Sequence, residues 1–243
     1  MTITQALIMA AGHATRMRPL TDNLPKPLLE VNHKPLLTHI IDHLIAEKVS
    51  KIIINGYHAI EPLRDYMIDI QSCYPDVKFI LSEEAELLET GGGAVLALQY
   101  LDADKPFYMI NGDAFWVNPC EGPSLQSLAK TWQDKSFDIV LLLQPTSSMG
   151  LTTAVGDYDI GQGNIASRNL DKNGGYMFTG VRICTPNVLK NYKVEKFSFL
   201  KMMDEAESKD RLGGAIHHGD WYHISEPDDL NDVNRDVFGV EKT

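Results

Sequence analysis

The chain has 243 residues, of which 44% are hydrophobic and 23% are charged, and its formal net charge is −11 at pH 7. This composition is typical of a globular protein with a sizeable buried core. A strongly acidic chain is repelled by nucleic acids and by anionic lipid surfaces, which argues against proteins built to bind either.

The cysteine content and the lengths of the apolar runs indicate the cellular compartment of the protein. The three cysteines are odd in number and lack C-x-x-C spacing, which favours neither a disulfide framework nor a structural zinc site. No apolar run approaches the roughly 20 residues that span a bilayer, and the N-terminus lacks the basic region of a signal peptide. We therefore expect a cytoplasmic protein without membrane contact.

Apolar runs and helical periodicities alternate along the first part of the chain. Residues 6–9 predict a strand, and apolar positions at i, i+3 and i+4 over residues 37–45 predict a helix. The other predicted strands are 51–55, 77–81, 107–111 and 138–143, and helical patterns cover 60–70 and 94–101. This alternation predicts an α/β fold with a Rossmann-like, mainly parallel mixed sheet and helices on both faces. Ligands of such sheets bind beyond the carboxyl ends of the strands.

The second half of the chain has shorter and less regular segments. Residues 149–168 are turn-rich, with short alternating stretches that predict an antiparallel or mixed extension of the sheet. Residues 174–183 predict another strand. Ser225 and Pro227 predict a final helix, as its N-cap and first-turn residue. No linker is evident, so we predict a single domain over residues 1–243.

A segment without periodicity, residues 10–34, follows the first strand. Compact domains rarely keep structureless loops beyond ~12–15 residues unless those loops bind something. Gly12 would let the backbone approach an anion, Arg16 offers a planar fork suited to phosphate, and Lys26 adds a point charge. The alternative is a proline-stiffened surface loop whose cations are only solvated. The segment matches neither a Walker loop nor a dinucleotide fingerprint.

The same segment carries a long signature. Residues 10–27 read AAGHATRMRPLTDNLPKP, which resembles the signature of the sugar-1-phosphate nucleotidyltransferase family, A-A-G-x-G-T-R-[LM]-x-P-L-T followed by P-K-P. Ala14 stands where that family usually has glycine. The stretches LETGGG (88–93), INGDAFW (110–116) and WYHISEPDDL (221–230) resemble later family segments in the same order. The resemblance is closest to short N-acetylmuramate 1-phosphate uridylyltransferases and to mannose-1-phosphate guanylyltransferase-like proteins.

This resemblance implies a fold and a reaction. The fold is that of the nucleotide-diphospho-sugar transferases, which is GT-A-like, with residues 1–145 binding the nucleotide and residues 146–243 binding the sugar. In the implied reaction, a sugar 1-phosphate attacks the α-phosphorus of a nucleoside triphosphate, giving a nucleotide sugar and pyrophosphate. Both reactants are anions, so the protein must mainly position them and neutralise their charge.

The resemblance also implies residue roles. Arg16, Lys26 and Asp113 would be catalytic, with Lys26 bridging the phosphates being joined and Asp113 holding Mg²⁺. The implied nucleotide-binding residues are Ala10, Ala11, Gly12, His13, Ala14, Thr15, Arg16, Lys26, Glu89, Thr90 and Gly91. The implied sugar-binding residues are Asn111, Gln144, Asp157 and Gly180. The glycines at 91–93 would open a helix and let base and ribose approach the backbone.

One departure from the family concerns its second metal-binding carboxylate, which would fall at His223. Histidine is a poorer ligand than a carboxylate for Mg²⁺. Three alternatives are open: His223 binds a softer ion such as Mn²⁺ together with Asp220, the metal relies on Asp113, phosphates and water, or catalytic power is reduced. The cluster of His217, His218, Asp220 and His223 is more typical of a polar surface loop than of a metal site.

Two further features favour ordinary structural roles. His39 and His43 are spaced i, i+4, but the glutamate of an H-E-x-x-H zinc motif is absent and the segment resembles a helix that covers the sheet. The charged run at residues 82–89 indicates a solvated face.

Several activities are compatible with these patterns. The leading hypothesis is uridylyl transfer from UTP to N-acetylmuramate 1-phosphate, a step of nucleotide-sugar biosynthesis for the cell wall. Guanylyl transfer from GTP to mannose 1-phosphate is the main alternative, and cytidylyl transfer to phosphocholine is a third. His223 and Ala14 also motivate a catalytically weakened, nucleotide-binding regulatory protein. The expected partners are a nucleoside triphosphate and a sugar 1-phosphate, and the expected assembly is a monomer or a small homo-oligomer.

Overall fold

The computed structural model describes residues 2–134, 137–149 and 155–239. Within these ranges the strands are β1 (Gln5–Met9), β2 (Glu30–Val31), β3 (Lys34–Pro35), β4 (Lys51–Gly56), β5 (Lys78–Glu83), β6 (Phe107–Asn111), β7 (Phe115–Val117), β8 (Ile139–Pro145), β9 (Tyr158–Ile160), β10 (Ala166–Arg168), β11 (Tyr176–Cys184), β12 (Leu212–Ile216) and β13 (Asp220–Tyr222). The helices are α1 (Leu36–Ala46), α2 (Ile60–Cys73), α3 (Glu89–Ala97), α4 (Ser124–Asp134), α5 (Leu200–Glu207) and α6 (Pro227–Asp232). Residues 150–154 of the predicted turn-rich extension lie outside the described residues.

A mixed sheet, nine-stranded over the described residues, forms the centre of the fold. Its order is β10-β9-β11-β6-β1-β4-β5, and β8 pairs with β11 and β12. The pairs β5–β4, β4–β1, β1–β6 and β8–β12 are parallel. Strand β11 runs antiparallel to β6, β8 and β9. The predicted fold class is confirmed, and β9, β10 and β11 supply its antiparallel extension.

The sheet separates two hydrophobic cores, because successive side chains of a strand point to opposite faces. Ile8 and Ile54 pack in the core that contains most buried residues of α1 together with residues of α2 and α4. Leu7 and Ile53 point the other way and pack with α3 and α5. Burial of each such side chain stabilises the fold by about 1.5–3 kcal/mol, and the helices lie on both faces as the alternation predicts.

The predicted start of the third helix is wrong. The helix begins at Glu89 rather than near residue 94, and Gly91, Gly92 and Gly93 lie inside it. These glycines are buried against neighbouring chain: a Cβ on Gly92 would lie 2.0 Å from the carbonyl oxygen of Glu195. Close packing of protein against protein therefore accounts for the glycine run.

The predicted cap of the last helix is also wrong. The N-cap of α6 is Glu226, and Pro227 occupies the first turn as predicted. The carboxylate of Asp229 accepts the backbone N–H of Glu226 at 2.8 Å and the hydroxyl of Ser225 at 3.0 Å. Ser225, the residue before the N-cap, thus also stabilises the start of the helix.

Several elements escape the sequence patterns. Strands β7 and β13 pair with each other as a small separate sheet although residues 117 and 220 are far apart in the chain. Strand β12 pairs with β8, and α5 covers the second core. Every helix of the described residues is too short or too polar to cross a bilayer.

Candidate active site

The candidate site lies where the central parallel strands end. Met9, Asn55 and Asn111 occupy one row across the carboxyl ends of β1, β4 and β6. A cavity of about 510 Å³, which we call the loop cavity, opens beside this row. It is lined by Met9, Ala10, Ala11, Gly12, Ala14, Thr15, Arg16, Met17, Lys26, Pro27, Asn55, Leu87, Glu89, Thr90, Asn111, Asp113 and Ser225.

A buried hydrogen-bond chain fixes the base of the loop cavity. Asn55 accepts the backbone N–H of Ala10 at 2.5 Å and donates to the Glu84 carboxylate at 2.6 Å. Glu84 also accepts the N–H of Leu88 at 2.9 Å. The interpretation of residues 82–89 as a solvated face is therefore wrong for Glu84, which is 3% exposed. Burial raises the pKa of Glu84, although both hydrogen bonds act to lower it.

The segment after β1 turns sharply at Ala14. Ala14 has φ 46° and ψ 47°, in the left-handed region, and precedes a 3₁₀ turn at Thr15–Met17. The hydroxyl of Thr21 donates to the Ala14 carbonyl at 3.0 Å, and Met17 is buried beneath the turn. Glycine adopts this conformation without the strain that a Cβ adds. That difference explains why glycine is the usual residue at this position of the signature.

Lys26 and Asp113 meet in the wall of the loop cavity. The Lys26 ammonium donates to Asp113 Oδ2 at 2.7 Å and also to the carbonyl oxygen of Ile224. Lys26 is 8% exposed, whereas 45% of the Asp113 side chain is accessible. Asp113 follows β6 in a tight turn, because Gly112 donates its N–H to the Met9 carbonyl at 2.8 Å and Ala114 donates to Asn111 at 3.0 Å.

Gly12 and Arg16 face open space. A Cβ on Gly12 would meet no atom of the described residues within 4 Å, so their packing does not require glycine there. Arg16 is exposed and forms no salt bridge with any described residue. Its guanidinium is free to bind an anion in the loop cavity.

His223 lies close to this cation and carboxylate pair. It is partly buried, and burial is the main cause that lowers its pKa below the usual range. The negative charge of Asp113 acts in the opposite direction, and the positive charge of Lys26 adds to the lowering. A lowered pKa favours the neutral imidazole, which is the form that binds metal ions.

The fit of the site to a divalent ion depends on its oxygen atoms. Within residues 2–134, 137–149 and 155–239, no group of three or more histidine, cysteine, aspartate or glutamate side chains is placed to hold a metal. Mg²⁺ in phosphoryl-transfer sites commonly binds one or two carboxylates and completes its shell with phosphates and water. Asp113, half-exposed on the cavity wall, fits that manner of binding.

A second cavity of about 230 Å³, the β11 cavity, adjoins the first. Thr90 and Asn111 line both. Its remaining lining residues are Asp157, Tyr158, Arg168, Lys172, Phe178, Arg182, Ser198, Phe199, Leu200 and Met203. The two cavities therefore form neighbouring compartments along the same edge of the sheet.

Most residues predicted for the site line one of these cavities, but five do not. One of the five is His223, which lies near Lys26 and Asp113 without lining either cavity. His13 is exposed and packs its ring 5.0 Å from that of His58, and Gly91 is buried against Phe197. Gln144 is buried in β8 and donates to Ser148 at 2.8 Å. Gly180 lies behind Asn111, with φ +83°.

Sequence reasoning missed several lining or supporting residues. Asn55 lies near the end of a predicted buried strand, as Asn111 does. This shared position could have identified Asn55 as a candidate site residue. Glu84 was hidden in a charged run, and Arg182 lay in an otherwise apolar strand segment. Their importance depends on burial, which becomes visible only in the fold.

Comparison with known proteins agrees with this geometry. The sequence profile described as nucleotidyl transferase matches residues 5–150, more than half of the chain. The chain belongs to the nucleotidyl transferase family. The resemblance predicted from the loop signature is thereby confirmed, together with the expected enzyme class.

Individual relatives extend the match along the chain. N-acetylmuramate alpha-1-phosphate uridylyltransferase of Caulobacter vibrioides is 28% identical over 229 residues, covering 91% of this chain and 92% of the relative. Mannose-1-phosphate guanyltransferase of Hypocrea jecorina is also 28% identical, over 228 residues. That match covers 93% of this chain but only 62% of the fungal protein.

Solved structures confirm the fold. A UDP-glucose pyrophosphorylase in complex with UDP-glucose superimposes with a TM-score of 0.78 at 15% identity, over 98% of this chain and 99% of that one. The inositol-1-phosphate CTP transferase of T. maritima gives a TM-score of 0.76 at 18% identity, over 100% and 99% of the two chains. The predicted nucleotide-diphospho-sugar transferase architecture is therefore correct.

Proposed function

We propose that the protein transfers a uridylyl group from UTP to the phosphate of N-acetylmuramate 1-phosphate. The observation that carries the proposal is the Lys26–Asp113 pair, 2.7 Å apart, in a cavity that the signature loop also lines. Uridine and this sugar are favoured because the uridylyltransferase relative matches over nearly its whole length, whereas the guanyltransferase relative is much longer than this chain.

In the proposed reaction, a phosphate oxygen of the sugar 1-phosphate forms a bond to the α-phosphorus of UTP. The bond from that phosphorus to the oxygen bridging the β-phosphorus breaks, and its electron pair leaves with pyrophosphate. No covalent intermediate with the protein is needed. The chain must hold two polyanions in line and neutralise the charge that accumulates as they approach.

The loop supplies that positioning. Gly12 is exposed, so a phosphate would be able to approach its backbone, and Arg16 offers a planar donor fork with no competing carboxylate among the described residues. Lys26 would exchange its contact with Asp113 for the phosphates being joined. Glu89 and Thr90 also line the loop cavity and would contact base and ribose.

Asp113 would hold the divalent ion, with the remaining ligands coming from substrate phosphates and water. When bound, Mg²⁺ would neutralise phosphate charge and polarise the phosphorus–oxygen bonds. His223 lies close enough to Asp113 to feel its charge and would either complete this site or leave it with Asp113 alone.

The test is pyrophosphate release from purified protein, Mg²⁺, UTP and N-acetylmuramate 1-phosphate. We expect turnover with UTP to exceed that with GTP, and a preference for GTP with mannose 1-phosphate would instead support a guanylyltransferase. Absence of pyrophosphate release across a panel of nucleotides and sugar phosphates would contradict the proposed activity.

A weakened regulatory protein is the alternative that His223 motivates. It predicts nucleotide binding without turnover, measurable by calorimetry. The variant His223→Asp separates the two ideas. A large gain in turnover supports a degenerate site, whereas a loss shows that His223 already serves the reaction.

A further inference from the structure

A buried arginine lies in the wall of the β11 cavity. Arg182 is 3% exposed, and its Nε has no hydrogen-bond partner among the described residues. One terminal nitrogen donates weakly to Asn111 Oδ1 at 3.3 Å, and the guanidinium carbon lies 4.7 Å from the centre of the Phe199 ring. No described carboxylate forms an ion pair with Arg182. Burying an unpaired charge costs free energy, so its presence beside a cavity requires an explanation.

The other charges of the β11 cavity are already neutralised. Arg168 is paired with Asp204 at 3.1 Å, and Lys172 is paired with Asp157 at 2.6 Å. Asp157 is therefore occupied and leaves the charge of Arg182 unbalanced. Burial lowers the pKa of Arg182 from its ordinary value, an effect that an anion in the cavity would offset.

The strand is irregular where it presents Arg182. Phe178 pairs with Leu143 and Arg182 pairs with Leu141, so four steps along β11 correspond to two along β8. Such bulges redirect side chains. Gly180 lies in the bulge with φ +83°, a conformation that favours glycine, and a Cβ there would press on Asn111 at 3.1 Å. Gly180, predicted to bind the sugar, thus acts by shaping the backbone that carries Arg182.

We propose that the sugar of the sugar 1-phosphate occupies the β11 cavity and that Arg182 binds a carboxylate carried by that sugar. The inference rests on the proposed function, which brings the 1-phosphate to Lys26. The loop cavity has its own cations, Arg16 and Lys26, to bind phosphate. Arg182 is therefore available for a second anionic group, at a different position on the sugar. Asn111 and Thr90, which line both cavities, mark the passage between the two groups. A planar guanidinium matches the two oxygens of a carboxylate.

The test compares two substrates that differ only by the carboxylate-bearing group. N-acetylmuramate 1-phosphate and N-acetylglucosamine 1-phosphate share the same amino sugar, and kcat/KM for each is measured with the same nucleotide. We expect the wild-type protein to prefer the acidic sugar by about 100-fold, since sites built around a charged contact discriminate strongly against its absence. The variant Arg182→Met should reduce this ratio to near one, mainly through KM.

Two further variants separate recognition from packing. Arg182→Lys keeps the charge but not the fork, so it should retain part of the preference. Arg64→Gln changes an exposed arginine that is paired with Glu83 at 2.7 Å, and the ratio should stay at the wild-type value. If Arg182→Met strongly lowers the thermal unfolding midpoint, the test uses the ratio of kcat/KM values measured with Arg182→Lys instead.

A wild-type protein that uses both sugars equally, or a loss of both substrates in parallel in Arg182→Met and Arg182→Lys, would overturn the inference. Failure of the proposed function has a different signature, namely no pyrophosphate from any sugar phosphate. In that case, calorimetric measurement of the binding of the two sugar phosphates still tests the role of Arg182. Tighter binding of the acidic sugar that weakens in Arg182→Lys supports the role of Arg182, and equal binding contradicts it.

Discussion

The two cavities handle positive charge in different ways. In the loop cavity, Lys26 is buried but paired with Asp113, and Arg16 is exposed to solvent, so each cation is stable without a ligand and can turn to one when it binds. In the β11 cavity, Arg182 is buried and stacked beside Phe178 and Phe199 without a described carboxylate. An adaptable arrangement suits a reaction in which charges move, whereas a fixed and desolvated charge suits discrimination between substrates.

Glycines show a similar contrast between the two walls of the site. Gly12 faces open space, while Gly92 presses against the Glu195 carbonyl. Both belong to segments that the sequence predicted to bind nucleotide. Packing explains Gly92 but not Gly12. A substitution at Gly12 is therefore expected to affect ligand binding without affecting stability.

The largest expected effect comes from breaking the adaptable pair. Lys26→Ala and Asp113→Ala should each reduce kcat by about 10²–10³, the range seen when a group that stabilises transition-state charge is removed. Pyrophosphate release measures the effect. Lys34→Ala is the matched control, because Lys34 forms an exposed ion pair with Asp42 at 2.6 Å away from the cavity, and it should remain near the wild-type rate. Near-normal kcat in Lys26→Ala would refute its assigned role.

A smaller effect should separate the two glycines. Gly92→Ala forces a Cβ against backbone, and overpacking of this kind destabilises by about 1–3 kcal/mol, visible as a lower thermal unfolding midpoint. Gly12→Ala should leave the midpoint unchanged and weaken nucleotide binding about tenfold, since only a ligand meets the added methyl group. Normal nucleotide affinity in Gly12→Ala would show that the loop backbone does not approach the phosphates.

The smallest expected effect is a dependence of stability on pH. Burial lowers the pKa of His43 and His217 below 6.5, so the unfolded chain binds more protons than the folded one in mildly acidic solution. The free energy of unfolding should therefore fall as pH drops below about 6.5, by up to ~1.4 kcal/mol per histidine and pH unit. Denaturant titrations measure it. His217→Gln should flatten the slope, with the exposed His218→Gln as control, and an unchanged slope would contradict the explanation.

Periodicity located the elements whose side chains are buried in a regular pattern. The strands β1, β4 and β6 and helix α1 were predicted because apolar runs and i, i+3, i+4 spacing follow directly from burial on a sheet or helix face. Strands β7 and β13 have three residues each and pair across the chain, so no local pattern marks them. The same limit explains the start of α3, since Gly91 and Gly92 pack against Phe197 and Glu195, which lie far along the chain.

The loop cavity was largely predictable, whereas the β11 cavity was not. The signature marked Lys26, and the INGDAFW segment marked Asp113. The shared sheet edge then predicted their proximity, which the 2.7 Å contact confirms. Arg182 carries no comparable mark, because an arginine in a strand is usually solvated and only the fold shows its burial. The exclusion of His13 and Gly91 from the cavity walls likewise depends on local packing that a motif does not encode.

The most direct test of the account is a crystal structure of the protein bound to UTP, and then to its nucleotide-sugar product. The account predicts triphosphate oxygens against Gly12, Arg16 and Lys26 in the first complex, and the sugar beside Arg182 in the second. A triphosphate bound elsewhere, with Lys26 and Asp113 still paired to each other, would contradict it.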